Sequence, residues 1–271
     1  VIRVVDPGLD VATLTRLQSY QSEVDASGTY PMQVEAAARM YGARARNDRS
    51  PFREVRTLLR GMCSGVERCM YCEDAPANEV EHVRPKSLYP ELAFHWENFL
   101  FACGPCNGPK GNRFKLFVPP GTASEYEAAR VSGAPVVAPP AGDSLLLDPR
   151  VDDPLEFFSL DLVGTFLFVE RHPLGSRERR RAEYTLDLLG LNRRDVLVRA
   201  RRTAFHHLRN ALRSYVVDRD NKVAPSELAA HVETVRNTSH ATVWAEMKRQ
   251  HTKIGKLNEL FAAAPEALAW P

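Results

Sequence analysis

The sequence predicts an α+β protein, mainly helical, in which a small unit of short strands and turns sits between helical regions on either side. Three observations point there. Apolar residues recur at helical spacing over the first sixty residues and again from Ser176 onward. Between Cys69 and Phe114 the texture changes to short apolar pieces broken by Pro, Gly and Asn. Four of the five cysteines fall in that stretch, as two pairs with two residues between the partners.

Taken in order, Leu9–Gln21 carries Leu9, Leu14 and Leu17 on one face, Met32–Ala45 has a similar period, and Phe52–Met62 is a third short helix. Pro7, Pro31 and Pro51 punctuate these segments, since proline suits a first turn and breaks an interior. After the cysteine-rich unit, Val118–Asp143 holds five prolines and reads as a surface excursion. Leu145–Leu147 is a short apolar run. Phe157–Leu162 and Thr165–Val169, joined through Val163–Gly164, read as a hairpin of aromatic and β-branched residues. Glu178–Leu189 is a helix stopped at Gly190, and Arg194–Val217 is another, with Asn192 as its cap. Ser226–Val235, Thr242–Lys248 and Lys253–Phe261 complete a helical tail. The expected organisation is a helical segment (1–62), a core (63–118), a Pro-rich linker with a hairpin (119–170) and an Arg-rich helical region (171–271).

The chain is long enough to bury a substantial core, and its charged and apolar fractions are ordinary. The formal charge of +2 does not announce a polyanion binder. Its distribution says more: between Arg171 and Arg213 twelve arginines face four acidic residues. Such a stripe is a candidate phosphate-binding face and equally a solvated helical surface. No apolar stretch nears the roughly 18 residues that span a bilayer, and the first residues lack a secretory pattern, so a cytoplasmic location without a membrane partner is expected.

The chemistry is concentrated between the cysteine pairs. Cys69-x-x-Cys72 and Cys103-x-x-Cys106 can each chelate from a tight turn and together complete a four-thiolate Zn²⁺ shell. With no open position, that zinc is structural, and Cys63 is left as a small buried residue. Between the pairs lies Glu81-His82, then Arg84-Pro85-Lys86-Ser87. A Glu-His pair alone means little. Asn98 lies 16 residues on, Asn107 follows the last cysteine directly, and Lys110 sits one turn beyond.

That order, His82, Asn98, Asn107, resembles the HNH nuclease pattern and implies a ββα-metal core stapled by the zinc. The resemblance implies that Glu81 and Asn107 hold one divalent ion, Mg²⁺ or Mn²⁺, through hard oxygen ligands. It implies His82 as general base, with Asn98 orienting its ring, and Arg84, Lys86 and Lys110 as phosphate contacts or plain surface charges. Glu81 replaces the commoner Asp, and Asn107 the commoner His, a weaker ligand set. The runs Cys69–Glu73, Val80–Ser87, Trp96–Leu100 and Ala102–Gly111 are similar to one HNH subgroup, as are Leu146–Arg150, the hairpin and Arg181–Arg193. That subgroup includes the nuclease subunit of Septu-type antiphage systems and retron-associated relatives. It implies a defence endonuclease, on DNA rather than RNA, working with a separate ATPase of the ABC/SMC type, since no GxxxxGK[ST] occurs here. A tRNA-cutting enzyme and a non-catalytic zinc-binding module are the competing readings.

Overall fold

A computed structural model describes residues 1–45, 50–130 and 132–271. The described chain is mostly helical with a small β-rich region. Among these residues no helix is long and apolar enough to cross a membrane.

Helix α1 spans Val11–Asp25, opened by the Asp10 carboxylate accepting from Thr13 N at 2.9 Å. Leu17, Gln21 and Val24 line its buried face. Helix α2 (Tyr30–Arg44) starts with Pro31 in its first turn and buries Ala36, Ala37 and Met40. Helix α3 (Phe52–Met62) buries Phe52, Val55, Leu59 and Met62, a period of three to four residues.

Strands β1 (Glu79–His82) and β2 (Phe99–Ala102) then pair antiparallel, with Glu81 opposite Leu100 and His82 opposite Phe99. Every residue of β2 is buried, because α3 covers it. Helix α4 (Gly104–Lys110) follows and packs on β1. These three elements make a ββα unit.

The stretch 118–143 was expected as a surface excursion; Val131 within it lies outside the described residues. It contains strand β4 (Glu125–Ala128), which together with β3 (Phe114–Phe117) and β5 (Asp143–Ser144) forms a sheet in the order β4-β3-β5. The prolines flank β4 and so hid it. Gly142 permits the closure: a Cβ there would meet the Phe117 carbonyl oxygen at 2.6 Å.

Helix α5 (Pro154–Phe157) leads into β6 (Phe158–Leu160), paired with β7 (Phe168–Glu170). The connection is longer than the expected Val163–Gly164 turn, because Asp161 organises it. Its carboxylate accepts from Val163 N, Gly164 N and Thr165 N at 3.0, 3.1 and 2.8 Å. Those donors, Thr165 N foremost, hold the Asp161 pKa down at about 2. A depressed carboxyl contributes stability that is present above its unfolded value and lost as pH falls through the folded one. Asp161→Ala is therefore expected to lower unfolding stability by about 1 kcal/mol at neutral pH, allowing for solvent exposure. In paired denaturation curves that difference should vanish as pH drops from about 4 towards 2.

Helix α6 (Arg177–Leu188) is capped by the Ser176 hydroxyl, and Gly190 at φ +61° ends the turn beyond it. Helix α7 (Asp195–Asp220) is the longest. Asn192 does not cap it. Its side chain pairs instead with both backbone groups of Phe168, at 2.9 and 2.8 Å, and so holds the β7 edge. Helices α8 (Pro225–Asn237), α9 (Ala241–Gln250) and α10 (Gly255–Ala263) complete the fold, with Trp244 against Phe261 and Trp270.

Candidate active site

The four cysteines come from two turns that the ββα unit brings together. Cys69 and Cys72 lie on a turn closed by Glu73 N donating to Cys69 O at 2.8 Å, and Met70 N bonds Phe101 O on β2. Cys103 precedes α4 and Cys106 lies in its first turn, with Asn107 N bonded to Cys103 O. All four Sγ atoms lie within 4.8 Å of one another, and those of Cys72 and Cys103 are 3.8 Å apart. Tetrahedral zinc, with Zn–S bonds of about 2.3 Å, separates its sulfurs by about 3.8 Å, so the donor set fits that ion. Arg194, at the start of α7, donates to Cys106 Sγ at 3.3 Å and brings a positive charge to the cluster.

Strand alternation sends Glu79 and Glu81 to the face of β1 that meets α4. One turn of that helix matches them residue for residue. Asn107 Nδ2 donates to Glu79 Oε2 at 2.6 Å, while the Lys110 ammonium pairs with Glu81 Oε1 and donates to His82 O at 2.7 Å. The Lys110–Glu81 contact is an ion pair without the directionality of a hydrogen bond. Burial pushes the Glu81 carboxyl up, against the pull of Lys110 and Lys86. Lys110 was expected at the phosphate. At 0% exposure it is instead the internal counter-ion of Glu81. Lys110→Met is expected to cost about 3–5 kcal/mol, because it strands a buried carboxylate; urea denaturation at neutral pH measures it.

Since the Asn107 amide nitrogen is turned to Glu79, its Oδ1 is available as a ligand. The Glu81 carboxylate, the other oxygen donor expected there, is held by the Lys110 ammonium.

His82 is the last residue of β1. Its ring packs on Tyr41 and Phe99, with centroids 4.6 and 5.2 Å away, and only 4% of the residue is exposed. Nε2 lies 3.0 Å from the Ala93 carbonyl oxygen. A carbonyl only accepts, so this contact needs the proton on Nε2 and leaves the lone pair on Nδ1. Burial first, then the charge of Lys86, lowers the His82 pKa to about 3, so the ring is neutral at physiological pH.

Asn98 was expected to orient that ring directly, and it does not. Its side chain accepts from Arg84 N at 2.8 Å and donates to Arg84 O and Leu92 O at 3.0 and 3.1 Å. The loop leading to Ala93 is thus tied down one residue away from the carbonyl that His82 uses. Gln21 of α1 ties it from the other side, donating to Pro90 O at 3.0 Å and accepting from Phe94 N at 2.9 Å. Asn98→Ala is expected to cost about 2–3 kcal/mol through the backbone groups it orphans, read as a lowered thermal midpoint. Arg84 stacks over Tyr89 and Phe114, and Lys86 lies 4.8 Å from the Tyr41 ring centre, both half-buried.

Sequence reasoning missed four participants. Glu79 was within reach, because it alternates with Glu81 on a strand. Gln21, Tyr41 and the Ala93 carbonyl carry no local signal, since long-range packing alone brings them to His82.

The model of the HNH endonuclease family matches residues 69–113. The Septu protein PtuB of Bacillus thuringiensis is 45% identical over 49 residues, covering 16% of this chain and 19% of the relative. The chain therefore spans about a fifth of the length of the curated relative it matches. No solved structure matches. The matched segment holds all four cysteines, the β1–β2–α4 unit and His82, Asn98 and Asn107. Residues 69–113 are thus the part of the chain that is similar to HNH endonucleases.

Proposed function

We propose that the protein is a metal-dependent endonuclease hydrolysing phosphodiester bonds in nucleic acid, with DNA as substrate, zinc in the four-cysteine site and Mg²⁺ or Mn²⁺ at Glu81 and Asn107. The observation that carries this reading is the neutral His82 ring, fixed by Ala93 with Nδ1 as its lone-pair atom, one residue from a carboxylate whose face also holds Asn107. The divalent ion would supply Lewis-acid neutralisation of charge on the phosphate and the leaving oxygen. His82 Nδ1 accepts a proton from water as the water oxygen bonds to phosphorus. The bridging P–O bond then breaks, and its electron pair stays with the departing oxygen, which is protonated from solvent. The imidazolium so formed keeps its Nε2–H on Ala93 O. Lys86, half-buried beside Tyr41, exchanges that contact for a phosphate oxygen, and Arg84 is a second phosphate contact.

In the same proposal, the unit 63–118 is the catalytic core. The protein serves as nuclease effector of an antiphage defence complex in the cytoplasm, licensed by an ATPase subunit of the ABC/SMC type. Likeness to the Septu protein PtuB supports the defence role. The test is incubation of purified protein, alone and with the candidate ATPase, with supercoiled plasmid and separately with total tRNA, in Mg²⁺, Mn²⁺ and EDTA. Metal-dependent plasmid cutting is expected. Consumption of tRNA alone would move the substrate to RNA, and inertness of the zinc-loaded complex would leave a binding module.

A further inference from the structure

We propose that the exposed face of α7 is a nucleic-acid backbone-binding surface, a rail of Arg199, Arg202, Arg209 and Arg213 that holds the polymer outside the HNH domain. The proposal rests on the nuclease reading only for the identity of the polyanion.

The four arginines follow one another at intervals of three, seven and four residues, so they lie along one side of the helix. His206 occupies the intervening position on the same side and is exposed. At a rise of about 1.5 Å per residue the row is about 21 Å long, comparable to roughly six base-pair steps of about 3.4 Å along a duplex.

Three properties separate this row from an ordinary solvated helix face. Its charge is not neutralised. Arg177, Arg179, Arg180, Arg181, Arg219 and Arg249 each reach a carboxylate. Among the described residues, none of the four on the rail has an ion-pair partner, and α7 carries no acid between Asp195 and Asp218. The Asp161 carboxylate, in the turn whose Gly164 carbonyl accepts from Arg202 at 3.4 Å, is taken up by backbone donors of that turn.

The guanidinium groups are also partly braced. That of Arg202 lies over the Phe166 ring at 5.3 Å and that of Arg209 over Phe205 at 5.7 Å, and Arg209 Nε is a buried donor without an acceptor. A planar cation already held on an aromatic face loses less freedom when it grips a phosphate. Finally, the exposed residues beside the arginines are polar. Exposed Thr203, Asn210 and Ser214 can reach phosphate or sugar oxygens, whereas the exposed valines Val196 and Val217 lie only at the two ends. An apolar protein partner finds no anchor on such a face, whereas a polyanion does.

The rail is also mechanically tied to the nuclease domain. Arg194, which begins α7, bonds Cys106 Sγ, so the helix is fixed to the four-cysteine cluster. A polymer bound along α7 is therefore held in a set relation to the β1–α4 face.

The experiment measures binding of zinc-loaded protein to a fluorescent duplex by anisotropy, in magnesium-free buffer so that cutting does not intervene. Wild type is compared with the Arg199→Ala/Arg202→Ala/Arg213→Ala triple variant, which leaves the half-buried Arg209 in place, and with the corresponding triple Lys variant. Between about 50 and 200 mM salt, each lost phosphate contact should flatten the slope of log K against log salt by roughly 0.9. The Ala variant is expected to bind at least about tenfold more weakly and to lose about 2.7 from that slope, while the Lys variant keeps most of both. An Ala variant with unchanged affinity and slope, and a native melting curve, would overturn the proposal and leave the row to an acidic protein partner. Failure of the nuclease reading looks different: plasmid stays intact in Mg²⁺ while wild-type binding still depends on the rail.

Discussion

His82→Ala is expected to reduce metal-dependent cleavage by about 10²–10⁴-fold, the range that a positioned general base contributes. The structure makes that variant informative, because the residue has two separable roles. As a buried ring against Tyr41 and Phe99 it fills volume, and as the proposed base it presents Nδ1. Truncation to Ala removes both and lowers stability. His82→Phe retains much of the packing and removes only the base, leaving the Ala93 carbonyl without its donor. If the base carries the effect, the two variants lose activity alike while His82→Phe melts closer to wild type. The pH profile gives a further sign check. Burial and Lys86 hold the His82 pKa at about 3, so in the free protein the base is already in its accepting form well below neutrality. Activity should not rise through the ordinary histidine range near 6.5. A rise centred there would mean that His82 sits in a wetter site than the one described. Equal cleavage by wild type and both variants would remove His82 from the chemistry.

Loss of the four-cysteine cluster is expected to be larger still in energetic terms. Structural zinc contributes about 10–16 kcal/mol in small zinc-dependent units at neutral pH, against a total of about 5–15 kcal/mol for a typical domain. Cys72→Ser or Cys103→Ala should abolish stoichiometric zinc in the purified protein and unfold β1, β2 and α4. Amide exchange across 69–113 should rise together with that loss. The strands here are four residues each, with Cys72 seven residues before β1 and Cys103 directly after β2. Arg194 is a milder control. Arg194→Ala leaves all four sulfurs and removes one donor to Cys106, so zinc should be retained with lowered affinity in a chelator competition. Full zinc-free folding of a Cys72 variant would refute the assignment.

The sequence was most legible where chemistry demands fixed spacing. Two cysteine pairs around His82 and Asn98, with Asn107 directly after the last, indicated the ββα unit, and all four sulfurs lie together. Helices with a single apolar stripe, such as Phe52–Met62, were also readable to the residue. Legibility failed where a side chain has several uses. Asn192 has the composition of a helix cap and instead pairs with Phe168, since the β7 edge offered two unmatched backbone groups. Lys110 has the composition of a phosphate contact and is an internal cation, because α4 lies along β1 and aims it at Glu81. Strand β4 was concealed by its proline-rich surroundings. For His82 the residue type was plain, but the partner of its ring was not. A backbone carbonyl has no residue identity to read.

Gln21, on the first helix, holds the 90–94 loop whose Ala93 carbonyl fixes the His82 tautomer, and it does so from some seventy residues upstream. The recognisable HNH segment is therefore not a portable cassette. Grafted into another scaffold at the boundaries of its motif, it would keep the cysteine-flanked hairpin and helix yet leave behind the brace beside His82. Swaps between relatives should preserve folding more readily than any activity, and a host could acquire the shape of this segment without the setting of its histidine.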